Sequence, residues 1–127
     1  MGYTNEEFGI FKNDLPVIIF DDFTTATQFV NFPFKAKSSA MKILLAKNNT
    51  NIKFIYEAMQ MIKYETGGHG RHWISVFANL QIFVPCLAEQ TKIANFLSVL
   101  DEKINLCNKE IAINENYKKS LLQQLFC

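Results

Sequence analysis

The last third of the chain constrains it most. After Pro85 the sequence runs to Cys127 without a glycine or a proline. Apolar side chains recur at Ile93, Leu97, Leu100, Ile104, Cys107 and Ile111, and again at Leu121 and Leu125. The steps alternate four and three, which puts these side chains on one narrow stripe of an α-helix. That is the pattern of a helix burying a seam against another helix. Asn114 and Lys118 occupy the two seam positions that are polar. At about 1.5 Å per residue the helix is roughly 55–60 Å long, more than a domain of this size can cover. Part of the seam therefore calls for a partner helix. The competing reading is a long amphipathic helix packed on its own domain.

The chain has 127 residues, enough for one domain and not two. It is 49% hydrophobic with twelve phenylalanines, so it can build a core, and its composition is not that of a disordered chain. It has no apolar run of about eighteen residues and no basic-then-apolar leader, so the expectation is a soluble, cytoplasmic protein with no membrane partner. Cys86, Cys107 and Cys127 are odd in number and fit no zinc spacing, which points to reduced thiols. Cys107 lies on the seam as a small packing residue.

Upstream of Pro85 the pattern changes. Residues 15–20, 28–34 and 41–46 read as short strands, rich in β-branched and aromatic side chains. Asn51 is placed to cap a helix whose apolar face is Ile52, Ile55, Tyr56, Met59 and Ile62. Gly67-Gly68 is the expected stop. Residues 74–77 and 80–84 read as two more strands leading into Pro85. The expected fold is α+β: a small mixed or antiparallel sheet with one short helix, then the long C-terminal coiled-coil helix. Residues 1–85 form one part and 86–127 the other.

Charge adds a second theme. Between Asp22 and Glu57 there is no acidic residue, yet Lys35, Lys37, Lys42, Lys47 and Lys53 fall there. Such a cluster serves either as a phosphate-facing footprint or as an ordinary solvated face. Gly68-His69-Gly70-Arg71-His72-Trp73 is a basic loop whose Arg71 can bond a guanine or a phosphate in bidentate fashion, with His69 and His72 as further donors. The alternative pairs Arg71 with a local acid such as Glu65. Nothing here has the spacing of an active site. Asp21 and Asp22 are adjacent, so on a strand they point to opposite faces and read, with Asp14, as turn residues. His69 and His72 lack further ligands for a metal. No catalytic residue, metal or cofactor is expected.

The residues Pro85-x-x-x-Glu89-Gln90-x-Lys92-Ile93-Ala94-x-Phe96-Leu97-Ser98-x-Leu100-Asp101-x-Lys103-Ile104 resemble the start of the conserved helix in the specificity subunit of type I restriction-modification systems. Glu115-x-x-Lys118-Lys119-x-Leu121-Leu122-Gln123-Gln124-Leu125-Phe126 resembles its end. Asp22-Phe23-Thr24, Phe32-Pro33-Phe34-Lys35, Ser39-Ala40-x-Lys42-Ile43-Leu44, Phe54-Ile55-Tyr56 and His69-x-Arg71-His72-Trp73-Ile74-Ser75 are similar to the second half of a target recognition domain of that family.

The resemblance implies a non-catalytic subunit that reads double-stranded DNA and holds methyltransferase and restriction subunits. DNA contacts would come from Lys35, Lys37, Lys42, Lys47, His69, Arg71 and His72. The family pattern has two recognition domains separated by two long conserved helices that pair antiparallel, whereas this chain has one helix and about 85 residues before it. A half-subunit that homodimerises through its helix is therefore expected. The alternative is an assembly-only coiled-coil protein, or gene remnant, that no longer binds DNA. Leu100→Asp puts a charge into the seam and should abolish self-association. Sedimentation equilibrium unchanged by the substitution would contradict the seam.

Overall fold

The computed structural model describes residues 2–63 and 77–126, which form two compact units, Met1–Thr91 and Lys92–Cys127. The first unit is built on three strands, β1 (Val17–Asp21), β2 (Thr27–Val30) and β3 (Met41–Leu44). They form an antiparallel sheet in the order β2-β1-β3. Val17 pairs with Val30 and Phe20 with Thr27 on one side of β1; Ile18 pairs with Leu44 and Asp21 with Met41 on the other.

Neighbouring side chains on a strand face opposite ways, yet Val17 and Ile18 are both fully buried, so β1 is covered on both faces. This is why its sequence, Val-Ile-Ile-Phe, is a continuous apolar run and not an alternation. β1 and β2 are joined by a tight reversal. Asp21 Oδ1 accepts the backbone N–H of Phe23 at 2.9 Å and of Thr24 at 3.3 Å. These donors, Phe23 first, hold the Asp21 carboxyl below the usual carboxylate range, despite some opposing desolvation.

Helix α1 (Ile52–Gln60) packs on β1 and β2 and buries Phe54. Asn51 caps it as the sequence predicts, its side chain accepting from the Phe54 N–H at 3.1 Å. Phe29 and Tyr56 bring their rings to 5.7 Å, and Gln60 Nε2 donates to Thr27 Oγ1 at 2.8 Å. The helix ends earlier than Gly67-Gly68. Met61 donates to the Ala58 carbonyl and Ile62 to that of Met59, and these tighter bonds close the last turn.

Residues 77–84 also differ from expectation. Phe77–Asn79 is a 3₁₀ turn, and residues 80–84 are irregular instead of a strand. A β pattern needs a ladder as well as propensity. Phe77 instead lays its ring 4.9 Å from that of Phe20.

Helix α2 (Leu87–Leu125) is 39 residues long and uninterrupted. Its first turn, up to Thr91, belongs to the first unit. There Gln90 is 1% exposed. Its Oε1 accepts the Asn51 N–H at 2.9 Å, and its Nε2 donates to the carbonyls of Pro85 at 2.9 Å and Asn49 at 3.2 Å. One side-chain amide thus satisfies three backbone groups from the loop before α1 and the loop before α2. Among the described residues no helix is long and apolar enough to cross a membrane. Gln90→Ala leaves these three groups without their partner and should cost about 2–3 kcal/mol in urea unfolding of the intact chain. A loss below about 0.5 kcal/mol would show that water replaces the amide freely.

Candidate nucleic-acid interface and helix-pairing surface

The lysines of the basic stretch have separate fates. Phe11 and Phe34 exchange backbone hydrogen bonds of 2.7 and 3.1 Å and bring their rings to 5.3 Å. This bridge lays the N-terminal arm beside Lys35. Gly9 turns the arm at φ +72°, a left-handed conformation that glycine adopts without strain. The turn delivers Glu6 to two cations: Lys35 donates to Glu6 Oε2 and Lys37 lies 3.5 Å from Oε1. The hydrogen bond from Lys35 and then the charges of Lys35 and Lys37 hold the Glu6 carboxyl below its ordinary value. It stays ionised as pH falls through the usual carboxylate range, so the contact persists at neutral pH and is lost only in stronger acid.

Lys42, on β3, reaches to 4.0 Å from Oδ2 of the fully buried Asp22. Lys53 pairs with Glu57 at 2.7 Å and sits 5.2 and 5.1 Å from the ring centres of Phe29 and Tyr56. With a side chain only 14% exposed, Lys53 acts inside the fold. Lys47 is exposed in the loop before α1 and has no ion pair among the described residues. The structure thus brings Lys35 and Lys37 together through Glu6, while Lys42 and Lys53 have other carboxylate partners. His69, Arg71 and His72 lie outside the described residues. Glu6 was invisible in the sequence because its partners are about thirty positions away and no spacing rule links them.

The second unit is the rest of α2. Its seam is in water: Ile104 is 57% exposed and Ile111 55%. Leu100, Cys107 and Leu125 are also exposed, while Leu97 and Leu121 are partly covered. A second apolar stripe escaped the heptad reading. Phe96, Val99, Leu106, Ile113 and Tyr117 are all at least half exposed. On a helix of 3.6 residues per turn they fall, on average, roughly a third of a turn round from the seam. The signal was present in the seven-residue spacing of Val99, Leu106 and Ile113, which the stronger first stripe masked. Opposite the seam, and bordering the second stripe, Asn95, Glu102, Lys109, Asn116 and Gln123 form the polar face. Among the described residues no group of three His, Cys, Asp or Glu side chains is placed to hold a metal.

A family model described as the type I restriction modification DNA specificity domain matches residues 5–115. The chain is 39% identical over 131 residues to the type I restriction enzyme EcoR124I/EcoR124II specificity subunit of Escherichia coli, a match covering 94% of this chain and 31% of that protein. It is 26% identical over 129 residues to the type I restriction enzyme MjaVIII specificity subunit of Methanocaldococcus jannaschii, covering 97% and 30%. The chain therefore spans about a third of the length of these curated relatives. No solved structure matches it significantly.

The Glu6 contact makes a direct prediction. Glu6→Gln removes the charge that occupies Lys35 and Lys37, and should tighten binding to a polyanion such as heparin by about threefold at low salt. Affinity unchanged or weakened would show that neither lysine faces the polyanion.

Proposed function

The chain belongs to the type I restriction-modification DNA specificity domain family, and from that membership we propose that it supplies the DNA-reading and assembly functions of a specificity subunit without catalysing a reaction itself. Residues 1–85 act as part of a target recognition domain, and residues 86–127 as the pairing helix. The observation that carries this reading is the span of the family match. Residues 5–115 take in both the sheet and most of the exposed seam of α2.

In this reading phosphates of double-stranded DNA are met by Lys47 and Lys37, with Lys35 and Lys42 flanking them. Arg71, His69 and His72 supply donors to bases or phosphates. Phosphate contacts set position on the duplex, and base contacts set sequence. Helix α2 pairs with the α2 of a second copy, so that two recognition elements face one duplex and the helix length sets their separation. The second apolar stripe, with Val99, Leu106 and Ile113 at its centre, receives the methyltransferase subunits, and the restriction subunits join the same assembly. The protein works in the cytoplasm and needs no cofactor of its own.

A second reading keeps the pairing helix and drops the DNA contact. It is favoured by the carboxylates that Lys35, Lys37 and Lys42 already face. Binding to a random-sequence duplex at low and moderate salt separates the two. The first reading predicts a log–log salt slope steeper than about −3, and about tenfold weaker binding for Arg71→Ala with the oligomer unchanged. No detectable binding at low salt would leave assembly as the function.

A further inference from the structure

The N-terminal arm runs beside the start of the basic stretch as a strap. From Gly2 to Gly9 it forms no helix or strand. Its aromatic side chains bring no apolar anchor: Tyr3 is fully exposed and Phe8 is 90% exposed. The inner end is tied by the two backbone hydrogen bonds between Phe11 and Phe34. Next to it Gly9 lies beside the stem of Lys35, where a Cβ would sit 3.6 Å from Cε. Among the described residues, the outer end is tied by Glu6. The Glu6 N–H donates to Thr4 Oγ1 at 3.2 Å, which folds the outer end back on itself.

The way Glu6 holds on points to a ligand. Its carboxylate has unit negative charge and two oxygens, and each oxygen takes a different lysine. Oε2 accepts from Lys35, and Oε1 lies 3.5 Å from Lys37 Nζ. A phosphodiester also carries unit negative charge on two free oxygens. The two ammoniums therefore make a fork that one phosphate can fill as the carboxylate does. The contact joins no strand or helix to another, since neither the strap nor residues 35–37 belong to one. It lies at the surface, where water and salt weaken such pairs. A competing anion can replace it.

We propose that Lys35 and Lys37 form a site for a single backbone phosphate of DNA, and that the Glu6 strap is its built-in competitor, released when the duplex binds. This rests on the reading above that the chain binds DNA. The tie at Phe11 keeps the carboxylate at high local concentration, while its weak hold lets it leave. Apparent affinity falls by the fraction of time the fork is open, so a strap closed about two-thirds of the time costs about threefold. Lys47 has no ion pair among the described residues and holds the duplex while the strap yields.

The test measures binding of the intact chain to a random-sequence duplex at low salt by fluorescence anisotropy. Glu6→Gln opens the fork and should tighten binding about threefold. Glu7→Gln removes the same charge from the next residue, which is exposed and outside these contacts. It should change affinity by less than about 1.5-fold. The double variant K35Q/K37Q removes the fork and should weaken binding about tenfold. Adding Glu6→Gln to it should then do no more than Glu7→Gln does, because no site is left to unmask. Equal gains from Glu6→Gln and Glu7→Gln, or a gain from Glu6→Gln that survives without the two lysines, would reduce the effect to net charge and overturn the proposal. So would a parent and a Glu6→Gln chain that bind the duplex equally well. Each of those results leaves DNA binding itself standing. If neither the parent nor Glu6→Gln binds the duplex, the DNA reading falls and this proposal falls with it.

Discussion

Water penalises exposed aliphatic surface at roughly 25 cal/mol per Å², so each seam side chain that becomes fully covered gains on the order of 1.5–3 kcal/mol. Helix α2 leaves Leu100, Ile104, Ile111 and Leu125 at 40% exposure or more. Neighbouring Val99, Leu106 and Ile113 add a second wet stripe. A helix of 39 residues held by so little burial has no reason to be this long unless another helix covers it. The proposals of a pairing partner and of a half-site spacing rest on that deficit. They also depend on the first turn of α2 being well formed, which the buried Gln90 amide secures.

The electrostatics of the first unit qualify the simple picture of a basic DNA-binding face. A run of five lysines without an acid looks like a bare positive surface, but folding brings Glu6, Asp22 and Glu57 to four of them. The two Glu6 pairs lie at the surface, where water and salt screen them and leave them weak. The Glu6 contacts can therefore open when a phosphate competes for Lys35 and Lys37. Lys53 is different: its ammonium lies against two aromatic rings and Glu57, and its role is to hold α1 against β2.

Much of this was legible in the sequence because it obeyed short-range rules. The four-three spacing identified α2, β-branched runs identified β1, β2 and β3, and Asn51 identified the start of α1. What escaped depended on partners far along the chain. Residues 80–84 have strand-like side chains but no ladder, and the ring of Phe77 settles against Phe20 instead. Gln90 looks like an exposed polar residue of a first helical turn, and only its bonds to Asn49, Asn51 and Pro85 reveal a buried connector. The end of α1 at Gln60 was set by local carbonyl pairing ahead of the glycine signal. The family resemblance was carried by motifs spread from Asp22 to Phe126, which is why it survived these local errors.

The central claim is that two copies joined through α2 present two recognition elements to one DNA molecule. The mass of the complex formed by the intact chain on a short random-sequence duplex, measured by light scattering at low salt, tests it most directly. The account predicts two chains on one duplex, with the same two-chain mass in the absence of DNA. One chain per duplex would contradict it, because the seam of α2 would then stay in water with nothing to cover it.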